Sequence, residues 1–121
     1  GRQAEQQRET HVVETLITAT AKGSGGVAGL EDTLDAVNNG QVKTLVILQQ
    51  YHIPGFRCAD CGALTAASEG ACSGCGGGLQ PVTDVVNQAV GSVLAHGGDI
   101  ETIGESDALR QAGEIGAFLR Y

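Results

Sequence analysis

The chain has no methionine, no tryptophan and only two prolines, and 3% of its 121 residues are aromatic. Any core it forms is therefore aliphatic, built from Val, Leu, Ile and Ala. Cations are scarce as well: seven Lys and Arg face 14 Asp and Glu, for a formal net charge of -7 and a pI near 4.7. Phosphate backbones are held by clustered Lys and Arg, so seven scattered ones argue against autonomous nucleic-acid binding by this domain. Docking onto basic proteins, or onto basic faces of a larger assembly, stays open. No apolar run approaches the roughly 20 residues that a membrane helix needs. The opening stretch from Gly1 to His11 lacks the apolar core of a secretory signal. It begins without Met on residues that already read as helix, which predicts the C-terminal domain of a longer cytoplasmic protein.

What is present divides the chain into a regular frame and an irregular insert, within a length that suits one compact domain spanning 1–121. Residues 3–21 predict a helix whose stripe is Val12, Val13, Leu16, Ile17 and Thr20. The run Lys22-Gly23-Ser24-Gly25-Gly26 ends it. Val27 and Ala28 suit a very short strand, although pattern alone leaves this undecided. A second helix is expected over 30–39, with Leu30, Leu34 and Val37 on one face and Asn38-Asn39-Gly40 as its stop. Val42 to Leu48 then reads as a strand buried on both faces, because its apolar end is unbroken. After Pro81, Thr83 or Asp84 can cap a helix carrying Val85, Val86, Ala89, Val90, Val93 and Leu94, closed by His96-Gly97-Gly98. Strands are expected at Asp99–Ile103 and Ile115–Leu119. Residues 105–112 between them suit a loop or one helical turn, with Ser106 a candidate cap. This order predicts an α/β frame.

Between Pro54 and Pro81 apolar periodicity vanishes, glycine dominates, and all four cysteines fall. Their pattern is Cys58-Ala59-Asp60-Cys61, ten residues, then Cys72-Ser73-Gly74-Cys75. Two residues between thiolates let a tight turn aim both sulfurs at one point, and two such turns supply a tetrahedral set. Glycines at 62, 74, 76 and 77 let backbone amides approach the sulfurs. The expected cofactor is a structural Zn2+ held by Cys58, Cys61, Cys72 and Cys75, on a ribbon inserted over 56–80. Four thiolates close the coordination shell, so no position remains for a catalytic water. Two disulfides, four idle thiols and an iron–sulfur cluster are the alternatives; the inferred reducing compartment, the paired spacing and the usual cluster spacings weigh against them in turn. His52 could ligate in principle but lies outside both pairs.

No other pattern carries chemistry. His11, His52 and His96 fall in different regions, and no Ser, Thr or Cys is arranged with a histidine and a carboxylate for nucleophilic catalysis. Glu31 and Asp32 are adjacent, point to different faces of their helix, and complement its dipole. Gly23-Ser24-Gly25-Gly26 lacks the lysine of a phosphate-binding loop. Neither a catalytic residue nor an organic cofactor site is expected.

Three stretches carry a resemblance. Gly29-Leu30-Glu31-Asp32-Thr33-Leu34-Asp35-Ala36-Val37, Gly40-Gln41-Val42-Lys43-Thr44-Leu45-Val46-Ile47 and the terminal Gly113-Glu114-Ile115-Gly116-Ala117-Phe118-Leu119-Arg120-Tyr121 are similar to the C-terminal domain of archaeal and eukaryotic class-1 peptide chain release factors, and the Ala/Gly-rich composition to their bacterial relatives. Archaeal members insert a Cys-x-x-Cys ribbon after the corresponding strand. The resemblance covers residues from about 12 to 121. It implies a three-layer α/β/α fold, shared with kink-turn RNA-binding ribosomal proteins, with Leu30, Leu34, Val42 and Val46 in the core. Gly113, Gly116 and Arg120 would shape the end of the last strand. It also implies a role in translation, where such domains dock a partner GTPase and help place the factor on the ribosome.

Catalysis of peptide release in that family uses a Gly-Gly-Gln loop in a separate domain. Here Gly76-Gly77-Gly78-Leu79-Gln80 belongs to the ribbon, so the chain reads as a non-enzymatic binding and positioning module with a protein partner, a translational GTPase or the ribosome. Two other readings stay open: a direct RNA binder of the kink-turn type, and an accessory domain of an enzyme whose active site lies upstream.

Overall fold

The computed structural model describes residues 1–68 and 70–121. Its elements are helix α1 (Arg2–Lys22), strand β1 (Gly26–Ala28), α2 (Leu30–Asn38), β2 (Val42–Leu48), a ribbon of β3 (Gly55–Cys58), β4 (Leu64–Thr65) and β5 (Leu79–Val82), then α3 (Val85–Ala95), β6 (Asp99–Ile103), α4 (Asp107–Ala112) and β7 (Ile115–Leu119).

The main sheet runs in the order β1-β7-β2-β6, with β2 and β6 parallel and β7 antiparallel to both of its neighbours. β2, flanked by β7 and β6, lies between helices on both faces, and the alternation of its side chains divides it between two cores. Leu45 and Ile47 join Leu34, Val37, Val85, Ala89, Val93 and Ile115 beneath α2 and α3. Val46 and Leu48 join Val13, Leu16, Ile103 and Leu109 beneath α1 and α4. The result is the three-layer α/β/α sandwich that the resemblance implied.

Burial on both faces begins only at Leu45, since Lys43 is exposed and Thr44 half-buried where the register against β7 shifts. Leu30, expected in the core, is half-buried at the start of α2. The short stretch Val27-Ala28 is a strand paired to Ala117 and Gly116. Residues 107–112 form a true helix, with the Ser106 hydroxyl accepting the Leu109 amide at 3.0 Å.

The terminal motif closes the sheet. A Cβ on Gly116 would stand 2.7 Å from both Leu16 Cδ2 and the Val27 carbonyl, so only glycine lets α1 and β1 approach β7 this closely. Arg120 donates from Nη2 to the Val42 carbonyl at 3.0 Å and the His96 carbonyl at 3.2 Å, tying the chain end to β2 and to the last turn of α3.

Of the two candidate caps for α3, Asp84 serves: Oδ1 accepts the amides of Val86 and Asn87, while Oδ2 pairs with His52 Nδ1 at 2.7 Å. Burial opposes ionisation of Asp84, but the His52 bond and the Asn87 and Val86 amides outweigh it and hold its carboxyl below the ordinary range. The stabilisation is complete above the usual carboxylate range, near pH 4, and is lost as pH falls through the lower folded-state value. Asp84→Ala is expected to cost about 1 kcal/mol at neutral pH. In urea unfolding, Asp84→Asn should make the acid limb of stability less steep than in the parent protein; superimposable limbs would show that Asp84 is not the cap.

Candidate metal centre

The ribbon leaves the frame at the C-terminal end of β2 and returns at the start of α3. Its three strands pair antiparallel in the order β4-β3-β5, and the four cysteines sit on two turns at one end. The turns are built alike. In each, the glycine after the second cysteine donates its amide to the carbonyl of the first: Gly62 to Cys58 at 3.0 Å, Gly76 to Cys72 at 2.8 Å. Both glycines take φ near +80°, a conformation that side chains disfavour. The first cysteine of each turn also donates its amide five residues ahead, Cys58 to Ala63 and Cys72 to Gly77. Two separated segments thus adopt one local geometry, and strand pairing sets them face to face.

The four sulfurs converge, all lying within 4.8 Å of one another. Cys58 and Cys75 are 3.5 Å apart, and Cys61 and Cys72 are 3.7 Å apart. A disulfide would need about 2.05 Å. A tetrahedron with metal–sulfur bonds of about 2.3 Å has edges of roughly 3.8 Å, close to the 3.5 and 3.7 Å of these two pairs. The donor set fits a tetrahedral thiolate-binding ion. Cys58 and Cys72 are buried, Cys61 and Cys75 exposed, so the ion would lie at the ribbon's surface with one side shielded.

Local amides prepare the sulfurs for charge. Cys61 donates its amide to Cys58 Sγ, and Gly77 to Cys75 Sγ, both at 3.4 Å. The Cys61 amide, supported by that of Asp60, lowers the Cys58 thiol to about 6. The Gly77 amide pulls Cys75 the same way but is overcome by the crowding thiols of Cys58 and Cys61, which push it up to about 12. Thiolates this close repel one another, so all four ionise together only around a cation.

Structure brings together the four residues that spacing singled out and leaves the histidines elsewhere. His52 is exposed and bonded to Asp84. His96 closes α3, its Nδ1 against the Ser92 carbonyl at 2.8 Å, and His11 is exposed on α1. Two residues that fix the ribbon to the frame were not visible as such. Asn38, read as a helix stop, also acts as a strand partner: its Nδ2 donates to the Leu64 carbonyl and its Oδ1 accepts the Leu64 amide, each at 2.8 Å. Leu64 itself is buried in the core under α2 and α3. An Asn beside an apolar residue of a distant strand has no sequence signature, because the amide substitutes for backbone.

Solved structures of a peptide chain release factor domain and of Pelota and Dom34 share this fold. The C-terminal domain of peptide chain release factor from Methanosarcina mazei shares it with a TM-score of 0.67 at 17% identity, over 99% of this chain and 85% of that one. Pelota from Archaeoglobus fulgidus matches with a TM-score of 0.64 at 17% identity over 99% of this chain. Dom34 from S. cerevisiae, described as a translation termination-like factor involved in RNA quality control pathways and interacting with Hbs1, matches at 0.60 and 14% identity over 99% of this chain. The chain spans 31% and 29% of those two proteins. At such identities the likeness establishes the fold. No protein-family model and no curated protein matches the sequence.

Removing the Asn38 amide strands the amide and carbonyl of Leu64 in a half-buried site, at a cost of about 1–3 kcal/mol. Asn38→Ala is therefore expected to speed amide exchange at Leu64 and Thr65 while leaving Leu45 to Leu48 protected. Unchanged exchange at Leu64 would show that the ribbon is seated by other contacts.

Proposed function

We propose that this chain is a non-catalytic binding and positioning module of a release-factor-like translation protein, working in the cytoplasm, that docks a translational GTPase or the ribosome. In this reading residues 1–121 act as one domain, and residues 56–80 are an insertion whose cysteines, Cys58, Cys61, Cys72 and Cys75, hold a structural zinc ion. The observation that carries it is the match of nearly the whole chain to the isolated C-terminal domain of a release factor, and to Pelota and Dom34, the latter titled as interacting with Hbs1.

Chemistry of the site supports the same view. Four thiolates fill a tetrahedral shell, so the ion would order the ribbon and supply no Lewis-acid position to a substrate. The one histidine–carboxylate pair, His52 with Asp84, has no hydroxyl or thiol bonded to it among the described residues, and its carboxylate is occupied as a helix cap. A net charge of -7 favours a protein or a basic assembly surface over direct capture of RNA. Among the described residues no helix is long and apolar enough to cross a membrane.

Two measurements test the two halves of the proposal. Elemental analysis of the purified chain should find about one zinc per molecule, falling to background in Cys58→Ser/Cys61→Ser; a purified chain whose ribbon is ordered but carries no metal contradicts the zinc assignment. Co-sedimentation should carry the chain into the pellet with purified ribosomes, with a translational GTPase, or with both together. A chain that stays in the supernatant under all three conditions contradicts the docking function.

A further inference from the structure

Strand β6 is an edge of the main sheet, bonded on one side to β2 and on the other to no strand among the described residues. Ile103 turns its carbonyl toward β2, where it accepts the Gln49 amide at 2.8 Å. Alternation along a strand then turns the backbone groups of Gly98, Ile100, Thr102 and Gly104 outward. The two ends of this outward row are already closed. The Gly98 amide donates to the Val93 carbonyl at 2.9 Å, and the Gly104 amide donates to Glu9 Oε1 at 2.8 Å. Between them Ile100 and Thr102 present two amides and two carbonyls to the outside, a template for one short strand.

Beside this edge lies a cavity of about 240 Å3, lined by Val86, Val90 and Ile100 and by the exposed Asn87, Thr102 and His52. It opens on the α3 side of the sheet. Leu94, 55% exposed and one turn beyond Val90, continues the apolar strip along the helix. On the opposite side of the strand the groups are acidic: Asp99 and Glu101 on β6, and Glu105 just after it. Arg8 offsets only Glu101, which it holds through both carboxylate oxygens at 2.8 and 2.9 Å.

We propose that the outer edge of β6 is a docking site for an extended segment of another protein, which adds a strand at Ile100 and Thr102. Its side chains alternate: an apolar one enters the cavity between Val86, Val90 and Ile100, and Lys or Arg residues on either side of it face Asp99 and Glu101. Main-chain bonds supply the affinity of such strand addition, and the side-chain cavity supplies its selectivity. A second copy of this chain is disfavoured as occupant, because it would bring Asp99 and Glu101 against their own copies or against other acids of a chain carrying -7. The inference draws on the docking reading only for its setting. A chain that sediments with ribosomes or a GTPase yet captures no strand would contradict the edge site and leave docking intact.

The test is a nuclear magnetic resonance titration of the full 121-residue chain with a short synthetic peptide in which Lys alternates with Leu and Val. Two further peptides carry backbone N-methyl groups on every second amide, one in each phase. Expected are exchange protection of the Ile100 and Thr102 amides, shifts at Val90 and Leu94, and binding weakened about tenfold by one phase of methylation and not by the other, as loss of main-chain bonds requires. Equal binding by both methylated peptides would reduce the contact to charge alone and overturn the proposal. So would the absence of protection at Ile100 and Thr102, or self-association of the chain through β6 without peptide.

Discussion

Everything in the frame is arranged around four consecutive side chains, Leu45, Val46, Ile47 and Leu48, all buried and pointing alternately to two cores. A strand with no solvent face must have a strand on each side and helices above and below. That requirement places β7 and β6 beside β2, α2 and α3 over one face, and α1 and α4 over the other. It also decides where function can sit. The ribbon grows from the chain just beyond the end of β2, and among the described residues the strands at the margins of the sheet are β1 and β6.

The ribbon follows a different physical rule. Its strands hold two to four residues each and bury little, so their own apolar contacts cannot fix them. Order comes from two points. At one end four sulfurs converge on a spacing suited to a tetrahedral ion, with Cys61 and Gly77 amides aimed at two of them. At the other, Leu64 enters the core of the frame and Asn38 pairs with its backbone. With a metal ion at one end, the ribbon would be fixed at both, as the proposed positioning role requires.

Much of this was legible in the residues. An unbroken apolar end and β-branched density gave β2, paired Cys-x-x-Cys turns gave the four cysteines that converge, and Asp84 and Ser106 behaved as the caps that their side chains suit. Other features were not, and for physical reasons. The short strand Gly26–Ala28 carries too few residues for a period, and exists because β7 offers it an edge and Gly116 lets it approach. Leu30 has the spacing of a core residue but sits where α2 begins, so neighbours cover only part of it. The seating of the ribbon depends on Asn38 meeting Leu64, 26 positions away, and a side-chain amide that replaces a strand leaves no pattern to read.

In the proposed reading a metal ion organises the ribbon while β2 and its neighbours hold the frame without it. Proton–nitrogen correlation spectra of the chain, recorded before and after a strong chelator, test this directly. Amides of Cys58 to Leu79 are expected to lose their dispersion, Leu64 and its neighbours under α2 to shift, and Leu45 to Leu48 and Ile115 to Leu119 to keep theirs. An unchanged ribbon would contradict the metal assignment, and collapse of the whole spectrum would contradict the independence of the frame.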